Sequence, residues 1–384
     1  MLYLDNAATT PVRREVLEAM WPFLTSTFGN PSSHHTVGEA AAGALADARR
    51  RIAAVLGTRA GDLVFTSGGT EADNLAVKGI ALAALEAGRG RHLVTSPVEH
   101  EAVAESVAYL RRFHGFEVTV LPVDRTGLVH PADLDAAIRT DTVLVSVMTA
   151  NNEIGTVQPI AELGAIARGH GVPIHTDAVQ AAGWIDLGLD RLGVDALSLS
   201  GHKIGAPKGV GLLAVRGSLP IEPLVHGGGQ ERGKRSGTEN VAAAVGLATA
   251  LELAEAERVD AAARISRLRD DFIGRVLRTV PTAVLTGHPV HRLPSIASFC
   301  FPGTSGEAVL LELEQRGVVS SSGSACAAGS DEPSEVLLAI GLSPEVAQTA
   351  VRFSFAGTVT DADVAAAATS VARAVEAVSG IRQA

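Results

Sequence analysis

A lysine stands directly after a predicted strand in the middle of the chain. Lys203 ends the sequence Leu-Ser-Leu-Ser-Gly-His-Lys, an apolar stretch that finishes in small polar residues. Open α/β sheets bind ligands at the carboxyl ends of their strands. A lysine amine at such a place can form a Schiff base with an aldehyde cofactor, provided that burial or nearby cations lower its pKa. A surface lysine after a strand, as expected for Lys208, is the alternative for this motif alone.

An aspartate ends the preceding predicted strand. Asp177 closes the segment 173–177, which is Pro-Ile-His-Thr-Asp. Pyridoxal phosphate needs a carboxylate beside its pyridinium nitrogen, so that the ring stays protonated and acts as an electron sink. Taken alone, Asp177 fits a helix N-cap equally well. An aspartate at one strand end, followed by Ser-Gly-His-Lys at the next, is much more specific than either motif and indicates a pyridoxal-phosphate site.

A glycine-rich turn between a predicted strand and a predicted helix favours an anion. Residues 65–74 are Phe-Thr-Ser-Gly-Gly-Thr-Glu-Ala-Asp-Asn, so Gly69 and Thr70 lie at the helix start. Glycines let the backbone approach an anion, and the helix N-terminus supplies free N–H groups and the positive end of a dipole. The motif is neither a Walker loop nor a dinucleotide fingerprint, and a capped helix start without a ligand is the alternative. A second polar segment, 226–238, offers further donors, namely Arg235, Ser236 and Thr238.

Three other polar side chains could meet a ligand. His100 follows the predicted strand 92–95 and could stack on a planar ring and move protons, although a lone histidine of this kind also suits a structural role. Asn152 follows the predicted strand 143–148 and could hydrogen-bond the cofactor or the substrate. Arg352 lies inside an apolar strand, where burial without an acidic partner is costly. A substrate carboxylate held bidentately would serve as that partner, and an internal Asp or Glu would serve equally.

The two cysteines of the chain have different surroundings. Cys300 lies between phenylalanines and is expected to be buried and inert. Cys326 lies in the segment 319–330, which is small, polar and contains glycine, so we expect a mobile exposed loop and a candidate nucleophile. With no other cysteine, the chain has neither a disulfide framework nor a cysteine-rich metal site. A mobile thiol could reach a substrate sulfur and later present a persulfide to an acceptor.

Composition and charge restrict the classes of function. The chain has 384 residues and a formal net charge of −10, which argues against a nucleic-acid surface, because such a surface needs clustered Lys and Arg. No apolar run approaches the roughly 18 residues needed to cross a bilayer, and the first residues lack the pattern of a signal peptide. We therefore expect no nucleic-acid or membrane partner and a reducing, cytoplasmic location in which a thiol stays free to react.

Short apolar runs alternate with helical patterns through most of the chain. The predicted strands are 63–66, 92–95, 117–122, 143–148, 173–175, 196–200 and 211–215. Helical patterns between them predict an α/β fold with a mainly parallel seven-stranded sheet between helices. A long helix near 240–280 leads to a smaller α+β region. We assign residues 12–255 to a large domain, and residues 1–11 with 256–384 to a small domain that carries Cys326.

Together these motifs resemble those of cysteine desulfurases of the NifS/IscS type, in the class V branch of fold-type I pyridoxal-phosphate enzymes. The resemblance runs nearly from end to end, in the family's order. It is carried by residues 3–11, 28–32, 66–74, 99–100, 151–155, 177–180, 200–203, 227–238, 321–326 and 352–354. It implies a fold-type I transferase that is a homodimer, with pyridoxal 5'-phosphate as cofactor and L-cysteine as substrate.

The resemblance also implies a role for each matching residue around the cofactor. Lys203 would carry the covalent link to pyridoxal phosphate, Asp177 would pair with the pyridinium nitrogen, and Gln180 would donate to the phenolic oxygen. His100 would stack on the ring and assist proton transfer. The cofactor phosphate would be bound by Gly69, Thr70, Ser200, His202 and, from a neighbouring subunit, Thr238.

On the substrate side, the resemblance implies that Asn152 and Arg352 hold cysteine, with Arg352 gripping its carboxylate. Cys326 would attack the substrate sulfur, leaving alanine and a persulfide on Cys326. The segment around Cys326 resembles the subgroup with a longer catalytic loop, which delivers sulfur to scaffold proteins for iron–sulfur cluster assembly. In that subgroup the cysteine can transiently ligate a cluster. Gly69 departs from the alanine common in relatives, and we expect phosphate binding to survive that difference.

Two other interpretations stay open at this point. Another enzyme on the same scaffold, such as an aminotransferase or a selenocysteine lyase, would share Lys203 and Asp177. A transaminase, however, has no use for Cys326. A non-catalytic binding protein that kept the fold would be favoured if any of these three residues were missing, and all three are present.

Overall fold

The computed structural model describes residues 1–322 and 332–381. The strands are β1 (Leu2–Tyr3), β2 (Leu63–Thr66), β3 (His92–Thr95), β4 (Glu117–Val120), β5 (Thr142–Ser146), β6 (Ile174–Asp177), β7 (Ala196–Ser200), β8 (Gly211–Val215), β9 (Val284–Leu285), β10 (Ile296–Cys300), β11 (Val318–Val319) and β12 (Ala350–Ser354). The helices are α1 (Arg14–Thr25), α2 (Thr36–Leu56), α3 (Gly69–Glu86), α4 (Glu101–His114), α5 (Pro131–Ala137), α6 (Ile160–Gly169), α7 (Leu189–Leu192), α8 (Val241–Thr279), α9 (Gly306–Gln315), α10 (Glu335–Ala339), α11 (Pro344–Ala347) and α12 (Asp361–Ile381).

Seven strands form the large sheet, in the order β2-β8-β7-β6-β5-β3-β4. Strand β8 is antiparallel to both of its neighbours, and the other adjacent pairs are parallel. Successive residues of one strand face two different apolar cores, as Leu144 packs in the cluster with α3 and α4, and Val145 in the cluster with α2 and α8. Helices on both faces explain why β2, β5 and β8 are almost continuously apolar.

The parallel strands bring their carboxyl ends to one edge of the large sheet. Strands β2, β3, β5, β6 and β7 all run in the same direction, since β8 reverses direction between β2 and β7. The β6–β7 register pairs Asp177 with Ser198, so the turn after β7 lies beside the end of β6. Each motif that the sequence predicts for ligand binding on these strands therefore lies at this edge.

A second core lies around a smaller antiparallel sheet, β12-β10-β9. Phe272 of α8 is fully buried in it, with ring centroids 6.1 Å from Phe299, 5.0 Å from Phe353 and 5.4 Å from Phe355. Strands β1 and β11 form a separate parallel pair. The amino-terminal residues of the chain therefore associate with the carboxyl-terminal region.

Helix α8 takes part in both cores. It begins after Asn240, whose side chain accepts a hydrogen bond from the Ala243 N–H at 3.0 Å. Residues 241–251 pack in the core of the large sheet, and Ile265 through Val276 contribute to the second core. A domain boundary at residue 255, inside this continuous helix, stays a prediction.

The predicted fold class is confirmed, and β2, β3, β7 and β8 have the predicted bounds. The antiparallel direction of β8 was not predicted, because the connection from β7, residues 201–210, has a 3₁₀ turn in place of a crossover helix. Short elements such as β1, β11 and α10 were missed, since they are too short for a hydrophobic pattern to repeat clearly. Within the described residues, no helix combines the length and the apolar character that a membrane crossing requires.

We expect Phe272→Ala to lower the free energy of unfolding by about 3–5 kcal/mol, because it removes the ring around which the second core packs. Urea denaturation followed by circular dichroism measures the loss. Leu277→Ala is the control on the same helix, since Leu277 is 39% exposed and its truncation should cost only a small fraction of that value. Equal losses for the two variants would contradict the assigned core.

Candidate active site

A cavity of about 1320 Å³ lies at the edge of the large sheet where the parallel strands end. It brings together residues that are far apart in sequence and that the sequence motifs predicted for one site. The predicted residues among its lining are Gly69, Thr70, His100, Asn152, Asp177, Gln180, Ser200, His202, Lys203 and Arg352. Thr238 is exposed and is not part of this lining. Cys326 lies outside the described residues.

Lys203 follows β7 through a single 3₁₀ turn, Gly201–Lys203. Gly201 allows this turn to pack closely, because a Cβ there would lie 2.8 Å from Val210 Cγ1. The Lys203 ammonium donates hydrogen bonds to the carbonyl oxygens of Ala7 at 2.6 Å and Ala8 at 2.7 Å. These bonds hold the amine in the cavity and against the amino-terminal segment.

Asp177 ends β6 and is 5% exposed. Its Oδ1 accepts a hydrogen bond from the Val179 N–H at 2.8 Å. Burial raises the pKa of Asp177, while the charges of His100 and Lys203 and the Val179 hydrogen bond oppose that rise. A buried carboxylate of this kind is stabilised by a cationic group bound in the cavity, because a lone buried charge is costly. The site therefore suits the protonated nitrogen of a pyridine ring.

A layer of buried polar groups lies behind Asp177. His175 is fully buried, and its ring nitrogens lie 2.9 Å from the hydroxyls of Ser146 and Ser198. Burial lowers the pKa of His175 to about 3, so this ring is neutral at pH 7. Asp73 Oδ1 is 3.7 Å from His175 Nε2 and has no hydrogen-bond partner among the described residues. Burial and the Asp177 charge raise the pKa of Asp73, which favours its neutral form beside Asp177.

The opposite end of the cavity suits an anion. Helix α3 begins at Gly69 after Gly68, which provides no side-chain cap, so first-turn N–H groups are available to a ligand. A Cβ at Gly69 would lie 2.8 Å from Val179 Cγ2 and 3.4 Å from Ser200 Cβ, so a larger residue would crowd this cradle. Burial, with the charges of Lys203 and Lys208, lowers the pKa of His202 to about 4. A neutral His202 can donate to an anion without carrying charge itself.

His100 has a structural role and also lines the cavity, while its stacking on a ring stays a prediction. It is the N-cap of α4, where its Nδ1 accepts a hydrogen bond from the Ala102 N–H at 3.0 Å. That bond places the proton of a neutral ring on Nε2. His100 also lines the cavity, so a capping bond orients a ring that faces the ligand space.

Arg352 of β12 is 1% exposed and has an internal acidic partner. Its Nη2 lies 2.8 Å from Asp5 Oδ1, and its Nη1 donates to the Asn152 carbonyl at 2.9 Å. The internal-acid alternative is therefore realised, and the guanidinium still lines the cavity. Binding of a substrate carboxylate by Arg352 stays a prediction.

Several residues of the site received no role from the sequence. Glu99 is buried in the cavity wall, with Oε1 accepting from the Met148 N–H at 3.0 Å and from Ser96 Oγ at 2.5 Å. Asp73 lies one helical turn after Thr70, and this spacing on α3 is the signal that could have placed it on the same face. Residues 332–339 form a further wall of the cavity that no sequence pattern indicated.

The donor set fits one cofactor class. A lysine amine, a buried acid that needs a cationic partner and a glycine-lined anion cradle on an α/β sheet are the groups that pyridoxal phosphate requires. Asp73 Oδ1 and Glu99 Oε2 have no hydrogen-bond partner among the described residues, so both atoms leave hydrogen-bonding capacity in this site. The fold and the site thus define a pyridoxal-phosphate enzyme of the open α/β class.

Comparison with known proteins agrees with this class. The family model described as aminotransferase class-V matches residues 2–366. The chain is 49% identical to a cysteine desulfurase IscS from Dictyoglomus turgidum, over 92% of this chain and 89% of that protein. A solved NifS-like protein has a TM-score of 0.90 at 37% identity, covering 97% of this chain and 98% of that one. A structure of SspA in complex with cysteine has a TM-score of 0.82 at 38% identity, covering 92% and 99%.

The chain belongs to the class-V aminotransferase family. The relatives above include a cysteine desulfurase and a NifS-like protein, and the cofactor of this family is pyridoxal phosphate. The predicted family and cofactor are therefore confirmed.

The buried Glu99 predicts a specific dependence of stability on pH. Burial raises the pKa of Glu99 to about 8, whereas an unfolded glutamate titrates near the ordinary value of 4.5. Between these two values the folded chain keeps a proton that the unfolded chain releases, so the wild-type free energy of unfolding falls as pH rises. We expect Glu99→Gln to become more stable than wild type across this window, by several kcal/mol in the cofactor-free protein. Urea denaturation at pH 5 and pH 8 measures the difference.

Glu101→Gln is the control for that experiment, because Glu101 is exposed at the start of α4. Its stability difference from wild type should be nearly the same at both pH values. If the free energy of unfolding of Glu99→Gln also differed from that of wild type by the same amount at both pH values, Glu99 would be ionised in the folded protein.

Proposed function

We propose that this chain is a cysteine desulfurase, which uses pyridoxal phosphate to remove sulfur from L-cysteine and leaves L-alanine and a persulfide on Cys326. The observation that carries the proposal is the presence of Lys203, Asp177 and Arg352 in the lining of one cavity. Relatives 44–49% identical over most of their length carry the same activity in their names. An amino acid bound there would have an amine beside the cofactor and a carboxylate beside a buried guanidinium.

Different residues of the cavity would bind different parts of the cofactor. Lys203 would hold its aldehyde carbon, Asp177 its ring nitrogen and Gln180 its phenolic oxygen. The phosphate would lie at the start of α3 and be bound by Gly69, Thr70, Ser200 and His202, with Thr238 from a second subunit. When bound, pyridoxal phosphate supplies an electron sink for the substrate. Asp177 keeps that sink effective, because its carboxylate favours the protonated ring nitrogen.

The substrate would be oriented by two polar groups on the other wall. Arg352 presents a planar guanidinium that Asp5 and the Asn152 carbonyl hold in place. A held guanidinium suits a carboxylate, because little freedom is lost when the bidentate contact forms. Asn152 lies beside it, and His100 presents Nε2 for proton exchange at the reacting centre.

Sulfur would leave the site on Cys326. The thiolate of Cys326 forms a bond to the substrate sulfur while the carbon–sulfur bond of the substrate breaks, and a proton replaces sulfur on that carbon to give alanine. We propose that the persulfide passes to an acceptor protein, with an iron–sulfur scaffold as the favoured acceptor, and that Cys326 can transiently ligate a cluster. The enzyme would work in a reducing compartment such as the cytoplasm, because the thiol must stay free.

Substitution of Cys326 tests the reaction class. We expect Cys326→Ala to abolish alanine and sulfide formation from cysteine while the visible absorbance of the bound cofactor stays unchanged. In wild type, mass spectrometry after incubation with cysteine should find one added sulfur atom on Cys326. Cys300→Ala is the matched control, since Cys300 is fully buried and burial raises the pKa of its thiol to about 12. Full activity of Cys326→Ala would favour an aminotransferase or a lyase that needs no thiol.

We further propose that the chain is a homodimer, in which Thr238 completes the phosphate site of the partner. Thr238 is exposed outside its own cavity. An exposed apolar stripe on α1 and the residues after it suits a second copy of the chain, and consists of Leu17 (53% exposed), Trp21 (65%), Leu24 (60%) and Phe28 (73%). The opposite side of α1 packs on α8, with Met20 beside Gly246. Thr238 lies just before α8, so the apolar stripe and Thr238 belong to the same packed unit.

Replacing Trp21 by Glu should produce a monomer, because a charge in the middle of the stripe would be buried on association. Analytical ultracentrifugation measures the change in mass, and the cofactor should bind more weakly once Thr238 is withdrawn. Val290→Glu is the control, since Val290 is a similarly exposed apolar side chain elsewhere (73%). A Trp21→Glu variant that sediments as wild type would remove this face from the interface.

A further inference from the structure

The segment 226–238 has an unusual backbone, to which the proposed chemistry gives no role beyond the place of Thr238. Glu231 and Arg232 have φ values of 50° and 58°, in the left-handed region that side chains other than glycine rarely adopt. Each such residue costs roughly 1–2 kcal/mol and persists only where surrounding contacts impose it. No residue of the segment lines the cavity, but Arg235 contacts Glu71, which follows Thr70 of the lining, so the position of the segment bears on the site.

One anchor of the segment is a buried charge network on β2. Glu231 is 4% exposed, its Oε2 accepts a hydrogen bond from the Phe65 N–H at 3.0 Å, and its Oε1 pairs with Arg49. Arg49 in turn donates to the Leu63 carbonyl at 2.8 Å. Arg232 donates to the same carbonyl at 2.5 Å. Strand β2 is one of the two outer strands of the large sheet, so these side chains satisfy backbone groups that have no neighbouring strand.

A second anchor lies at the other end of β2. Arg235 donates to Glu71 Oε1 at 2.8 Å, and Glu71 Oε2 accepts a hydrogen bond from the Ser67 N–H at 2.8 Å. Ser67 begins the turn that continues into Gly68 and Gly69, where the anion cradle forms. The segment 226–238 is therefore bonded to β2, which precedes the cradle in the sequence, and also to the first turn of α3, where the cradle lies.

We propose that Glu231 and Glu71 are positioning residues for the cofactor phosphate, fastening the segment 226–238 to the strand and the helix start that form its cradle. This inference rests on the assignment of pyridoxal phosphate to the cavity. The two carboxylates do not contact the phosphate in this account. Glu231 fixes the segment on the Phe65 amide of β2, and Glu71 fixes the Ser67 amide and the Arg235 side chain. Both contacts are charge-assisted, so removing one charge disturbs the cradle more than a neutral bond would.

The test is cofactor binding to the full-length apoprotein, with pyridoxal phosphate and with pyridoxal, which lacks the phosphate. For Glu231→Gln and for Glu71→Gln we expect the dissociation constant of pyridoxal phosphate to rise by about tenfold, the equivalent of one lost charged hydrogen bond. The dissociation constant of pyridoxal should change by less than about twofold, because pyridoxal does not use the cradle. Absorbance titration of the bound cofactor measures both constants.

Glu252→Gln is the matched control. Glu252 pairs with Arg51, which lies on α2 two residues after Arg49, and this pair joins α2 to α8 away from the cavity. Its pyridoxal phosphate affinity should equal that of wild type. If Glu231→Gln is too unstable to purify, Glu71→Gln carries the same comparison, since Glu71 is partly exposed.

An equal rise in the dissociation constants of pyridoxal phosphate and pyridoxal would overturn the proposal. So would a lower melting temperature with both constants unchanged, because the two carboxylates would then have a purely structural role. Failure of the proposed desulfurase function would look different, as a wild-type chain that binds pyridoxal phosphate but forms no alanine from cysteine. The ratio of the two dissociation constants is read without any turnover, so the two failures are distinguishable.

Discussion

The site depends on two opposite charges that the fold holds out of bulk water at the ends of adjacent strands. Asp177 is the last residue of β6, and Lys203 lies just after β7. The two strands are parallel neighbours in the sheet. Burial penalises the Asp177 charge, and the nearby Lys203 charge lowers that penalty, as a cationic group bound in the cavity would. Because β2, β3 and β5 end at the same edge, the anion cradle, His100 and Asn152 come to this pair without any special loop.

The amino-terminal segment joins the two halves of the site. Ala7 and Ala8 accept hydrogen bonds from Lys203, and Asp5 pairs with Arg352 of the small sheet. The Ala7 N–H also donates to Ser354 Oγ at 2.8 Å. Residues 5–8 thus link the lysine of the large sheet to the arginine of the second core, and fix the distance across which a substrate would be held. A short stretch near the start of the chain acts as the link between cofactor and substrate groups.

Much of this arrangement could be predicted from the sequence. Strands that are buried on both faces contain short runs rich in apolar residues, which is why β2, β3, β7 and β8 were located with their correct bounds. The rule that ligands bind at the carboxyl ends of parallel strands then brought Lys203, Asp177 and Gly69 to one place. The resemblance added roles for residues such as Gln180, whose amide donates to the Ala7 carbonyl at 3.0 Å.

The rest depends on contacts between residues distant in sequence. No pattern links Asp5 to Arg352, because a buried arginine indicates that an acid is needed and not which one. Asp73 and Glu99 owe their raised pKa values to burial by elements that only the folded chain assembles. The anchoring of Glu231 on β2 likewise requires knowing that β2 is an outer strand of the sheet.

The central claim is that the cofactor is attached at Lys203, beside Asp177. Borohydride reduction of the purified holoprotein fixes pyridoxal phosphate to its lysine, and peptide mapping by mass spectrometry locates that lysine. The chain offers Lys78, Lys203, Lys208 and Lys234 as candidates. The structure predicts that the label is found on Lys203 alone. A label on Lys78, Lys208 or Lys234, or a bound cofactor that labels no lysine, would contradict the account.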